Sequence, residues 1–259
     1  MHEVEFDPQT LIQGIKNIFY TPAEAVADII DNSIEAQSKN IHIIFSEGTK
    51  QNVGIVDDGC GMSKLEIKEA LNFKKTLNLS DKNLSKYGWG LKSASISQCE
   101  NTYIISKKNN EISAMNLKIV DNRLLVEETS KNELVEKFKY IMNVFSKVST
   151  VSGTAVIWDD LNSLITGADK VKSNSPHGAF YTTGEEVANY SGLHFSQLLI
   201  NKKIFFNTKE ILTHDPFKEY EGSKYFQKQN IETQNGGFIE ISGIIYPRET
   251  AFSSDEYEM

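Results

Sequence analysis

Apolar residues recur at helical spacing in "AEAVADIIDNSIEAQ" (23–37), where Val26, Ile29, Ile30 and Ile34 fall on one side. Just before it, Thr21-Pro22-Ala23-Glu24 supplies an N-cap hydroxyl, a proline at the first helical position and a glutamate at the third. The pattern predicts a helix from about Thr21 to about Ser38. "IHIIF" (41–45) and "NVGIV" (52–56) predict two strands joined through Glu47-Gly48-Thr49. Ser63 with Glu66 opens a second capped helix reaching about Phe73, and a third helix starts just after Gly90. "TYIIS", "ISAMNL" and "RLLVEE" predict meander strands, 131–147 a further helix, and "GTAVIWDDL" a closing strand. Residues 166–184, rich in Ser, Gly, Thr and Asn, predict a linker between a domain at 1–165 and a second at 185–259. The second part carries a helix at about 185–200 and strands at "KIFFN" and "GFIEISGIIY".

The composition, 39% hydrophobic and 24% charged over 259 residues, suits one large globular domain or two modest ones. No run approaches the roughly 18 apolar residues of a membrane span, so no membrane association is expected. "MHEVEFDPQT" lacks the basic start and apolar core of a signal peptide. Two cysteines, Cys60 and Cys99, cannot build a disulfide framework, which points to a reducing, cytoplasmic setting. A net charge of −8 argues against a broad nucleic-acid surface and leaves DNA only a local basic patch. Such a patch has one place to be: between Lys74 and Lys92 five lysines stand against one aspartate.

Three stretches carry candidate chemistry. Asp28, Asp31, Asn32 and Glu35 form a second, polar stripe on the first long helix, with no lysine or arginine among them. It is either a solvated face or a site where Asp28 holds a water and Asn32 offers Mg²⁺ a hard amide oxygen. "VDDGCGMS" ends the second strand. As structure it is a strand-ending turn; as a site, Asp57 accepts a hydrogen bond from an adenine amino group while Gly59 and Gly61 let backbone lie against the ring. "KYGWGLKSA" matches neither GxxxxGK[ST] nor GxGxxG. It is a glycine-rich helix start among surface lysines, or a helix N-terminus with Lys92 in its first turn, suited to a polyphosphate. Residues 74–87 before it are polar and aperiodic and are expected to form a mobile loop. The five histidines and two cysteines make no zinc pattern.

In this order, the helix stripe, DxGxG, a lysine-bearing lid and GxG at a helix start resemble the GHKL ATPases: gyrase, the Hsp-type chaperones, histidine kinases, MutL and MORC. Gly153-Thr154 matches the fourth motif of that group, and "IIDNSIEA" with "YGWGLKSASISQCENTYIISK" is most similar to its MORC-like branch. The resemblance implies an α+β Bergerat-type sandwich, a mixed, mostly antiparallel sheet with helices on one face. A transducer-like domain would then follow at 185–259.

It further implies ATP with Mg²⁺ as cofactors, and a polar stripe facing the bound nucleotide. Asn32 would be the Mg²⁺ ligand, and Asp57 the adenine contact, partly through a water shared with Thr154. Gly59, Gly61 and Met62 would lie at the base. Lys86, Gly88, Trp89, Gly90, Leu91, Lys92 and Ser93 would surround the phosphates. The general base, usually a glutamate four residues before the Mg²⁺ asparagine, falls on Asp28, one methylene shorter. Asp31 sits about 100° round the helix from Asn32 and is the poorer candidate. These expectations amount to a slow ATPase that gates lid closure and an ATP-dependent homodimer, driving a protein partner, a further C-terminal region or a DNA-associated process. The alternative is a switch that binds ATP without turnover. A phosphotransfer kinase fits less well, because the residues before the first helix are too few for a phospho-accepting hairpin.

Overall fold

The structure, a computed structural model, describes residues 8–17, 20–48, 50–72, 89–166, 176–198, 201–212, 224–233 and 237–245. It divides into a unit ending at residue 213 and a second beginning at residue 214. The first unit opens with α1 (Pro8–Asn17), α2 (Pro22–Glu35), β1 (Asn40–Glu47), β2 (Gln51–Asp57), α3 (Lys64–Leu71) and α4 (Gly90–Gln98). It continues with β3 (Cys99–Lys108), β4 (Glu111–Val120), β5 (Arg123–Glu128), α5 (Lys131–Lys137), α6 (Lys139–Val148) and β6 (Gly153–Leu161). Then come α7 (Ser163–Thr166), α8 (Pro176–His194), β7 (Lys203–Phe206) and β8 (Lys209–Glu210). In the second unit β9 (Lys224–Glu232) and β10 (Phe238–Ile245) pair as an antiparallel ribbon.

The eight strands of the first unit form one sheet in the order β5-β4-β3-β6-β2-β1-β7-β8. Every pairing is antiparallel except β1 with β7. Alternation along each strand divides the apolar residues between the two faces of the sheet. Ile41, Ile43, Val53, Ile55 and Trp158 pack with Val26, Ile29 and Ile30 of α2 and Phe180 and Val187 of α8. Their neighbours Ile44, Val56, Ala155 and Ile157 point the other way, onto Leu134, Ile141, Met142 and Phe145 of α5 and α6.

The α+β, mostly antiparallel fold class expected from the sequence is therefore present, with two changes. Helices do not keep to one face, because α5 and α6 cover part of the second. Their apolar residues recur at helical spacing, which is the legible cause. The one helix expected there is two, broken at Phe138. The other change concerns the boundary. The stretch expected as a linker at 166–184 contains the first half of α8, and β7 pairs with β1, so the first unit runs well past residue 185. Composition misled because the hydroxyls of Thr182 and Thr183 donate to carbonyls four residues earlier in their own helix. Polar residues satisfied in this way need no solvent and no loop. α1 and β9 had no expected counterpart.

Capping at α2 and α3 is as the sequence specifies. Thr21 and Glu24 form a reciprocal capping box, and Ser63 and Glu66 form another. Cys60 and Cys99 are both free. Among the described residues no helix is long and apolar enough to cross a membrane.

Candidate functional site

Asp57 closes β2. Strand alternation puts its side chain on the α2 side of the sheet, in step with Val53 and Ile55. There the carboxylate collects donors from three elements. Its Oδ1 accepts from the Gly59 N–H at 2.8 Å and the Thr154 N–H at 3.3 Å, and its Oδ2 accepts from Ser33 Oγ at 3.0 Å. The residue is 6% exposed, and among the described residues no lysine or arginine pairs with it. Burial pushes its carboxyl above the usual carboxylate range, while these hydrogen bonds pull the other way.

The two glycines that follow are required by the protein's own packing. A Cβ on Gly59 would stand 2.8 Å from Ala36 Cβ at the end of α2. Gly61 has φ +68° and would set a Cβ 2.0 Å from the Lys107 carbonyl oxygen, a place no side chain fits. The Met62 N–H then donates to Ser106 Oγ at 2.7 Å, and Ser106 Oγ lies 2.8 Å from Thr154 Oγ1. The turn after β2 is thus tied to both β3 and β6.

A cavity of about 200 Å³ opens beside Asp57. Asn32 and Ser33 of α2, Gly61, and Thr154 of β6 give it polar edges; Ile29, Met62, Leu91 and Val156 give it apolar walls. Apolar walls converging on a few fixed polar groups are the usual form of a small-molecule site. Asn32 donates its Nδ2 to the Asp28 carbonyl at 2.9 Å, which leaves its Oδ1 as the atom available to a cation. Asp28 stands one turn earlier, and Tyr20 Oη donates to its Oδ2. Burial first, then this bond, raises the Tyr20 phenol far above its ordinary range, so it stays a donor. The same Oδ2 is 3.2 Å from where a Cβ on Gly90 would sit, so the first residue of α4 abuts the Asp28 carboxylate.

Of the residues expected from the sequence, Asn32, Asp57, Gly61, Met62, Leu91 and Thr154 line this one cavity. Gly59 lies behind it and Gly90 beside Asp28. Lys92 is 3% exposed and donates to the Ala70 carbonyl at 2.8 Å, and Ala70 borders the cavity. Burial lowers the Lys92 ammonium below its ordinary range. Ser93 does not face the site, because its hydroxyl bonds back to Trp89 and Gly90. Trp89 occupies the N-cap position of α4 without a side-chain cap bond, which leaves the first N–H groups of the helix uncapped by it. Lys86, Gly88 and the expected mobile loop at 74–87 lie outside the described residues.

The polar stripe of α2 splits rather than facing one ligand. Asn32 lines the cavity and Asp28 abuts α4, while Asp31 is near enough to His194 of α8 for its charge to count. Burial raises the Asp31 carboxyl, and His194 offsets this.

Sequence reasoning missed Tyr20, Ser33 and Ser106. Ser33 carried a signal: it sits on the apolar side of α2, in line with Val26, Ile29 and Ile30, where a hydroxyl needs a partner. Ser106 ends the expected strand "TYIIS" and had no comparable mark.

Residues 20–150 match the family described as histidine kinase-, DNA gyrase B-, and HSP90-like ATPase. The chain is similar to ATPase morc-1 of Caenorhabditis elegans, 32% identical over 95 residues, or 36% of this chain and 11% of that protein. It is similar to the DNA mismatch repair protein MutL of Paramagnetospirillum magneticum, 34% identical over 79 residues, 30% of this chain and 13% of that one. MutL of Caldanaerobacter subterraneus subsp. tengcongensis is 32% identical over 113 residues, 42% of this chain and 19% of that one. The chain therefore spans less than a fifth of the length of these relatives. Matched over half its length, from Tyr20 before the polar helix to the residues just before Gly153-Thr154, the chain belongs to the GHKL ATPases, the histidine kinase-, DNA gyrase B- and HSP90-like family.

Proposed function

We propose that the cavity binds ATP with Mg²⁺ and that the chain hydrolyses it slowly, as a timer for association with a second copy and with a client. The observation that carries this reading is Asp57, a buried carboxylate fixed by three donors at the edge of an apolar-walled cavity. An acceptor held so firmly suits the exocyclic amino group of adenine, a donor. Thr154 beside it can hold a water that shares the same group.

The residues present fit Mg²⁺. Asn32 Oδ1 is a hard oxygen ligand, and among the described residues no group of three or more His, Cys, Asp or Glu side chains could hold an ion unaided. That agrees with an ion that keeps waters and takes the rest of its shell from phosphates. When bound, Mg²⁺ neutralises charge that develops on the transferred phosphoryl group. The first N–H groups of α4 can donate to phosphate oxygens. Lys92 reaches them if it exchanges the Ala70 carbonyl for an anion.

Asp28 takes the place of the general base. Tyr20 occupies its Oδ2 and leaves Oδ1 to orient and deprotonate water. Tyr20 thus leaves it a single oxygen for water, and its reach is a methylene short of glutamate. Both effects point to slow turnover. They also support the second reading, a switch that binds ATP and never cleaves it.

A protein client is the partner the net charge favours. The MutL relatives are DNA mismatch repair proteins, yet a net charge of −8 offers nucleic acid no broad footing here. Phosphate release from ATP tests the enzyme reading. Turnover below about 1 s⁻¹ is expected, lost on chelation of Mg²⁺. Tight ATP binding with no Mg²⁺-dependent release would leave the switch.

A further inference from the structure

The outer edge of β5 ends the eight-stranded sheet, and among the described residues no strand pairs with it. Its sequence is Arg123-Leu124-Leu125-Val126-Glu127-Glu128. Leu125 and Val126, neighbours on opposite faces of the sheet, are 49% and 47% exposed. Soluble proteins usually protect such an edge with charge along its length, a bulge or a covering element. Here the centre is apolar and the charges are at the ends.

The preceding turn fixes which backbone groups are free. Asp121 and Asn122 have φ of 50° and 56°, and Val120 stands opposite Arg123. This is a two-residue hairpin turn whose flanking pair is hydrogen-bonded. Alternation along the ladder then turns the N–H and C=O groups of Arg123, Leu125 and Glu127 towards β4. Those of Leu124 and Val126 point out of the sheet.

A second copy of the strand, laid antiparallel, satisfies that pattern when the two-fold axis passes through Leu125. Leu124 then faces Val126 of the second copy, and each such pair exchanges two backbone hydrogen bonds. Leu125 faces its own counterpart, and Arg123 faces Glu127. The segment R-L-L-V-E is its own complement in this register, apolar against apolar and cation against anion. Moving the axis to Val126 would set Leu124 and Leu125 against glutamates. Within its own chain Arg123 has no acidic partner among the described residues, while Glu127 is paired with Lys118. Opposite charges facing each other across strands stabilise a pair, and like charges oppose it.

We infer that β5 is a self-association edge, joining two copies of this chain sheet to sheet without nucleotide. Strands of this length bury less than the ~1,000 Å² of a stable interface, so the association is weak and depends on concentration. It does not depend on the ATP reading, since β5 contributes nothing to the cavity.

The experiment is sedimentation of the full chain without nucleotide over a wide concentration range. The wild type is expected to shift from monomer towards twice the mass. Arg123→Glu and Glu127→Arg each place like charges opposite one another and should remain monomeric. An equimolar mixture of the two variants sets glutamate against arginine at both ends and should recover the dimer. Val126→Pro removes an outward N–H, spares the ladder to β4, and should also abolish association. A wild type that stays monomeric throughout, or variants that dimerise individually as well as it does, would overturn the inference.

Discussion

Asp57→Asn is expected to lower ATP affinity by about 100-fold or more while leaving the fold intact. Asp57 Oδ1 already serves two backbone N–H groups and Oδ2 serves Ser33. An asparagine keeps its oxygen for the backbone donors and turns its amide NH₂ towards Ser33 and the adenine amino group. Ser33 can rotate to accept; the adenine amino group cannot. Losing a charge-assisted hydrogen bond and facing donor with donor costs about 3 kcal/mol or more. Folding follows a different sign. Burial raises the Asp57 carboxyl in the folded state, so the folded protein holds its proton to higher pH than the unfolded chain. Stability therefore falls as pH rises from the ordinary value of 3.8 through the raised one. The neutral variant lacks that fall and should match or exceed the wild type in thermal denaturation without nucleotide. Titration with ATP, run beside a melt of the empty protein, separates the two effects.

Asp28→Asn is expected to reduce turnover by about 10²–10⁴-fold and to change ATP affinity little. Asp28 does not line the cavity beside Asp57; it stands one turn away, against Tyr20 and the first residue of α4. Asp28→Glu is the sharper comparison, because it restores the residue usual in hydrolysing relatives. It should hold or raise the rate provided α4 yields at Gly90, the residue that abuts the Asp28 carboxylate. Single-turnover phosphate release for all three proteins decides it. If the wild type and Asp28→Glu both bind ATP and neither cleaves it, the chain is a switch.

What the sequence made legible follows from how local each signal is. The caps of α2 and α3, the strands β1 to β6 and the turn at Gly59 and Gly61 depend on neighbours in the chain, and all were read from them. The membership of α8 depends on partners far away in sequence. Its polar residues bond within the helix, while Phe180 and Val187 reach the core beside Phe45 and Ile204, so composition alone suggested a linker. Asn32, Asp57 and Thr154 carry motif positions, and the fold brings all three to one cavity. Tyr20 acts on Asp28 from the residue just before a helix cap, a place with no periodicity to betray it. Lys92 was rightly placed in the first turn of α4, but its bond to Ala70 depends on where α3 ends.

The central claim is that Asp57 selects adenine in a nucleotide cavity, and calorimetric titration of the wild type with Mg-ATP and Mg-GTP tests it most directly. Guanine presents the O6 acceptor where adenine presents its amino donor, so GTP sets an acceptor against a fixed carboxylate. The expected result is one ATP site per chain, with GTP at least about 100-fold weaker, as an unpaired buried acceptor requires. No binding of ATP, or equal binding of ATP and GTP, would contradict it.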